Sequence, residues 1–96
     1  MPFWNLFRHG NTNTEAENYE RLRKTGRITD GKVIDSDGAS VDEITQIFYM
    51  YSVNGADYES SQFLTDEQRT RPAEYAPGAS VSIRYDPHQP SNSIVV

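Results

Sequence analysis

Cysteine is absent from this chain of 96 residues, so no disulfide framework is open to it and cysteine usage says nothing about redox compartment. Long apolar runs are absent as well: none approaches the ~20 residues that a bilayer-spanning helix requires. The start, MPFWNLFRHG, has neither an extended apolar stretch nor a small-residue cleavage site, so no secretory signal is expected in it and a cytoplasmic setting is the default. Positive charge is scarce, with nine Lys and Arg against fourteen Asp and Glu, a net charge of −5 and a pI near 4.8. Only Arg21, Arg23, Lys24 and Arg27 cluster. Nucleic-acid binding draws its affinity from phosphate neutralisation by a basic face, and such a partner is therefore not expected. Apolar residues are few, at 35% of the chain, against roughly 45–50% (glycine included) in ordinary domains.

What is present is aromatic: six Tyr, four Phe and one Trp must supply much of the core. The length suits a single domain with one small core. Residues 1–13 stand apart, an apolar cluster of Phe3, Trp4, Leu6 and Phe7 followed by the polar linker GNTNT. A helix is predicted next. Thr14 is an N-cap candidate with Glu17 at capping-box spacing. Glu15, Glu17 and Glu20 precede Arg21, Arg23 and Lys24, the order the helix dipole favours. Glu17–Arg21 and Glu20–Lys24 are spaced to pair, and Gly26 marks the stop. Ala16, Tyr19 and Leu22 or Arg23 form one narrow stripe for docking.

From Gly26 onward the period becomes strand-like. RITDGKVID carries Ile28, Val33 and Ile34, and Gly31 within it implies a bulge or a close backbone approach. SDGASVDE reads as a polar connection centred on Asp37-Gly38. ITQIFYMYSV has the strongest β character in the chain, and Asn54-Gly55 after it is the strongest hairpin signal. With those two as the loop, Tyr51 faces Tyr58 and Val53 faces Ala56; with Gly55-Ala56 as the loop, Val53 faces Tyr58. Either register puts Ile47, Tyr49, Tyr51, Val53, Tyr58 and Leu64 on the core face and Phe48, Met50, Glu59 and Phe63 on the other. A short helical turn after Thr65 or Asp66, interrupted at Pro72, leads to SVSIRYD, with Val81, Ile83 and Tyr85 inward. SIVV reads as a short last strand. The expected fold is mainly β: a small antiparallel barrel or sandwich of about five strands with one N-terminal helix, a single β domain over residues 14–96.

Tyr49, Tyr51, Val53, Gly55 and Tyr58, followed by Gly78, Val81, Ile83, Tyr85, Asp86, Pro87 and Pro90, match a pattern Y-x-Y-x-V-x-G-x-x-Y, then a Gly before V-x-V-x-Y-D-P-x-x-P. Over residues 26–96 the chain thereby resembles the bacterial domain-of-unknown-function family 3592. The resemblance implies a small β domain, often beside transmembrane helices, with no established activity. It carries no catalytic residues across. This chain departs from it in having no membrane span.

Candidate sites compete with plainer readings. Asp35, Asp37, Ser40, Asp42 and Glu43 invite calcium, but an EF-type loop from Asp35 has Ala39 at position 5, Gly38 at 4 and Gln46 at 12, so a solvated acidic loop is expected. His9 and His88 lack zinc-ligand spacing, and neither metal nor cofactor is expected. No G-x-S-x-G elbow exists, and Asp86 beside Pro87 and His88 reads as a turn before it reads as an acid/base pair. No catalytic residue is assigned, and the chain is not expected to be an enzyme. Tyr49, Tyr51, Tyr58 and Tyr85 either line a ligand groove or form the edge of the core with their hydroxyls reaching water; their spacing favours the core.

Phe3, Trp4, Leu6 and Phe7 are harder to account for. Their burial contributes about 1.5–3 kcal/mol each, while ordering ten residues costs about 1–2 kcal/mol apiece. These terms nearly cancel, so the segment gains little by packing on its own domain. Docking on a protein partner, on a second copy or on a membrane surface is one expectation, and docking on its own domain or a frayed terminus are the plainer alternatives that weigh equally with it. The leading expectation is a non-catalytic binding or assembly domain that associates through this segment or a strand edge. The alternative is a small ligand-binding domain or enzyme with a tyrosine-lined pocket.

Overall fold

The computed structural model describes residues 15–96. Thr14 and the aromatic segment with Phe3, Trp4, Leu6, Phe7 and His9 lie outside the described residues. Helix α1 covers residues 15–25 of these. Five strands follow: β1 (Arg27–Ser40), β2 (Glu43–Val53), β3 (Ala56–Phe63), β4 (Ser80–Asp86) and β5 (Gln89–Val95). They form one antiparallel sheet in the order β3-β2-β1-β4-β5, curled into a nearly closed barrel.

The hairpin between β2 and β3 has the first of the two expected registers, with Tyr51 opposite Tyr58 and Val53 opposite Ala56. Its turn places Asn54 at φ 53° and Gly55 at φ 85°. Both angles are positive, as a two-residue type I′ loop demands, and Asn and Gly are the residues that tolerate this. The faces are as expected: Ile47, Tyr49, Tyr51, Val53 and Leu64 are buried, while Met50 and Phe63 stand outside. On β4, Val81 and Ile83 point inward and Tyr85 packs against the same cluster.

Gly31 pairs with Tyr51 on one side and Val81 on the other, so it lies at the centre of the sheet. Its role is close approach. A Cβ there would run into Ile83 Cδ1 and come within 2.5 Å of the Met50 carbonyl oxygen. The space of the missing side chain is occupied by Ile83, which is fully buried. Register shifts follow later, between Val33 and Asp35 and on either side of Gly38.

Three expectations are corrected. The stretch 36–40 is strand, not connection: β1 continues to Ser40, and only Val41 and Asp42 turn. Its polarity hid it, because both faces of this distal half are largely exposed and strand periodicity needs a buried face to be visible. Asp35 accepts a hydrogen bond from the Ser36 amide at 2.8 Å, and Asp37 accepts one from Gly38 at 3.0 Å. β5 likewise starts at Gln89 rather than Ser93. The helix pairs also differ. Arg23 pairs with Glu20 at 2.8 Å, and Arg21 reaches off the helix to Asp86 at 3.6 Å. Gly26 does end the helix, its amide bonded to the Leu22 carbonyl at 2.8 Å. The reason is proximity to β4, since a Cβ would meet Leu22 O at 2.7 Å and Arg84 Cβ at 3.0 Å.

Candidate functional site

A sheet of five strands curled this tightly leaves β3 and β5 facing one another, and side chains close the gap. Gln62 on β3 accepts from the Val95 amide at 2.8 Å and donates to the Val95 carbonyl at 3.0 Å. One carboxamide thus reproduces the paired bonds that a neighbouring strand would offer. Gln68 adds a second donor to Val95 O at 2.8 Å and is itself 1% exposed. It is held by reciprocal bonds with Thr65: the Gln68 amide donates to Thr65 Oγ1 at 3.1 Å, and the Thr65 amide donates to Gln68 Oε1 at 3.0 Å. That is capping-box geometry at the start of a 3-10 turn, Gln68–Thr70. The sequence reading missed both glutamines. T-x-x-Q at Thr65–Gln68 is the signal that points to one of them; nothing local marks Gln62.

The tyrosines extend the same closure inward. Tyr49 and Tyr51 are 0% and 2% exposed. The Tyr49 hydroxyl is 2.8 Å from Ser93 Oγ and donates to the Ser93 carbonyl at 3.2 Å, and Tyr51 donates to the Pro90 carbonyl. Carbonyls of β5 at Pro90, Ser93 and Val95 are therefore all bonded by side chains from β2, β3 and the turn after it. Of the two sequence readings for these residues, core placement fits Tyr49 and Tyr51, whose hydroxyls bond to β5 rather than to water. Their rings stack at 5.9 Å, and Tyr58 continues the stack at 5.5 Å from Tyr51. Tyr58 and Tyr85 are half-buried and pack against the core. Burial pushes the Tyr49 and Tyr51 phenols above their ordinary value. Asp86 accepts from the backbone amide of His88 at 2.8 Å, an Asx turn. That amide, with Arg21 beside it, holds the carboxyl below its usual range.

Outside the barrel, α1 lies across the β3/β5 junction. Asn18 and Asn92 exchange two amide hydrogen bonds, at 2.9 and 3.0 Å, tying the helix to β5. Ile94, on the same outward face as Asn92, is buried, and so is Leu22. On the β3 side the contact is open. A cleft of about 550 Å3 runs between Ala16 and Tyr19 on the helix and Ser61, Phe63 and Thr65 below it. Phe63 is 69% exposed there. Glu15 and Glu20 line it as well, Glu20 paired with Arg23. The volume lies within the ~300–1,000 Å3 range typical of binding clefts.

The architecture defines a small, helix-capped β barrel closed by side chains rather than by a last backbone ladder. The chain belongs to the family described as a domain of unknown function (DUF3592), whose model matches residues 24–96. No curated protein and no solved structure matches the chain significantly. No helix among the described residues is long and apolar enough to cross a membrane.

Proposed function

We propose that this protein is a non-catalytic binding or assembly domain that associates with itself through the aromatic segment Phe3, Trp4, Leu6 and Phe7. One observation carries the reading: the barrel fills its interior with its own tyrosines and bonds their hydroxyls to β5, while large apolar side chains stand on its outside at Phe63, Met50 and Ile34. Chemistry would need reactive groups converging on a hollow; association needs apolar surface around a polar rim. Strand-edge pairing is the weaker route. The β5 edge is bonded by Gln62, Gln68, Tyr49 and Tyr51, and its Pro90 lacks an amide proton to offer.

Light-scattering mass on a sizing column, comparing the full chain with one lacking residues 1–13, tests the reading. The full chain is expected to run as a dimer or larger and the shortened chain as a folded monomer. Equal masses overturn self-association through this segment. If both are monomers and only the full chain co-sediments with lipid vesicles, the segment is a membrane contact instead.

A further inference from the structure

The cleft beside Phe63 is a recess with an apolar floor that opens where the described chain begins. Residue 15 lies on its wall, so residues 1–14 continue the chain from its rim. Resting on the self-association reading, we propose that this cleft is the acceptor: residues 3–9 of a second copy seat their aromatic side chains between Tyr19 and Phe63, and the two copies exchange segments reciprocally.

The chemistry of the two parts is complementary. Ala16, Tyr19 and Phe63 offer apolar and aromatic surface, and the segment supplies Phe3, Trp4, Leu6 and Phe7. Arg8 and His9 follow directly, where the carboxylate of Glu15 stands at the rim; Glu20 beside it is paired with Arg23. Five polar residues, GNTNT, separate His9 from Glu15 and reach up to ~17 Å when extended, enough to step from one copy to its neighbour. Ala16 and Tyr19 come from outside the family match and Phe63 from inside it, so the acceptor is a composite that the barrel alone does not make.

A second copy is the better occupant than the same chain. Folding the segment back on its own cleft sets burial against ordering with little surplus and covers nothing else. Exchange between two copies fills both clefts at once and leaves the apolar side chains on the outer face of β2, where Phe48 is half-buried and Met50 exposed, for further contact between the copies. A reciprocal, two-fold arrangement closes on itself, which a one-way insertion does not.

Trp4 is the single tryptophan of the chain, so its emission reports the segment's surroundings directly. The test measures dimer dissociation and Trp4 emission for the full chain, Phe63→Ser, Trp4→Ser and the double variant. Phe63 is exposed, so its substitution leaves the barrel folded, and far-ultraviolet circular dichroism checks this. Each single variant is expected to weaken dimerisation roughly 10- to 30-fold, as removal of an aromatic anchor does. The double variant is expected to be scarcely weaker than either, because both remove one contact. Phe63→Ser should also shift Trp4 emission to the red. A dimer that needs residues 1–13 but ignores Phe63→Ser overturns the cleft and leaves self-association standing. A monomer whose Trp4 emission responds to Phe63→Ser overturns the second copy, because the segment then occupies its own cleft. A monomer with solvent-like Trp4 emission overturns both.

Discussion

Gln62→Leu tests whether side chains close this barrel. The substitution keeps the bulk of the residue and removes both atoms that address Val95. Gln68 still donates to the Val95 carbonyl, so that acceptor keeps one partner. The Val95 amide keeps none, and Val95 itself is fully buried. An orphaned buried amide costs about 1–3 kcal/mol, and loss of one neutral hydrogen bond about 0.5–1.5 kcal/mol. The sum, about 2–4 kcal/mol, is large against the ~5–15 kcal/mol of a typical domain. For a chain of this length each 1 kcal/mol moves the melting temperature by about 4–8 °C, so a fall of roughly 8–30 °C is expected.

Urea titration followed by circular dichroism gives the stability difference, and hydrogen exchange at the Val95 amide locates it. In the parent protein that amide should exchange only with global unfolding; in Gln62→Leu it should exchange by local opening of the seam. Gln62→Glu separates the two bonds, since its carboxylate still accepts from the Val95 amide but donates nothing to the carbonyl. It should lose less protection at Val95 than Gln62→Leu does. A Gln62→Leu variant within about 0.5 kcal/mol of the parent, the scatter of ordinary surface substitutions, with Val95 protection unchanged, would refute the reasoning. The seam would then be closed by packing alone.

Gly31→Ala should destabilise by at least about 1–3 kcal/mol, the cost of forcing a methyl into a filled core, because Ile83 and the Met50 carbonyl already occupy its place; thermal melts measure it, and a neutral result would show that β1 can move away from β4. Gly55→Ala meets no atom at all, so its cost is confined to the φ of 85°, about 1–2 kcal/mol. Alkaline titration followed by phenol absorbance tests the buried tyrosines. Tyr19, Tyr49, Tyr51 and Tyr75 all have raised pKa values, each chiefly through burial. A phenol whose folded value is raised contributes stability that is present below the unfolded value of about 10 and is lost as pH rises through the folded value. Ionisation of Tyr49, Tyr51 and Tyr75, which are nearly fully buried, should therefore coincide with loss of structure above that pH; reversible ionisation of these three with the fold intact contradicts their placement.

The parts of this fold that were legible in the sequence are those that a buried face or a special backbone angle writes locally. Alternation in β2 and β4 reports one buried side, and Asn54-Gly55 reports two positive φ angles. The far half of β1 has no buried side, so its strand character was invisible and its acidic residues read as a loop. The early start of β5 was obscured by Pro90, which ordinarily argues against a strand but costs nothing on an edge. Gln62 was unreadable for another reason. Its partner lies at Val95, 33 residues away, and no local pattern announces a side chain that substitutes for a missing neighbour strand.

The two halves of the family pattern turn out to meet. Tyr51 in the first half bonds to the carbonyl of Pro90 in the second, and Tyr49 bonds to Ser93 three residues beyond it. Gly55 makes the turn that sets the register of Tyr58 against Tyr51. Asp86 and Pro87 start the turn that returns β5 along β4. The pattern therefore describes how a five-stranded sheet is held nearly closed, and each of these residues is spent on that task. The residues that closure does not use are the ones this chain has free for association. In this chain those are the outward face of β2 and β3, the helix laid across the seam, and the aromatic segment before it. Two of these three lie wholly or mostly outside residues 24–96. Association through those two would then rest on parts of this chain that the family match does not include, while the barrel residues carry the fold.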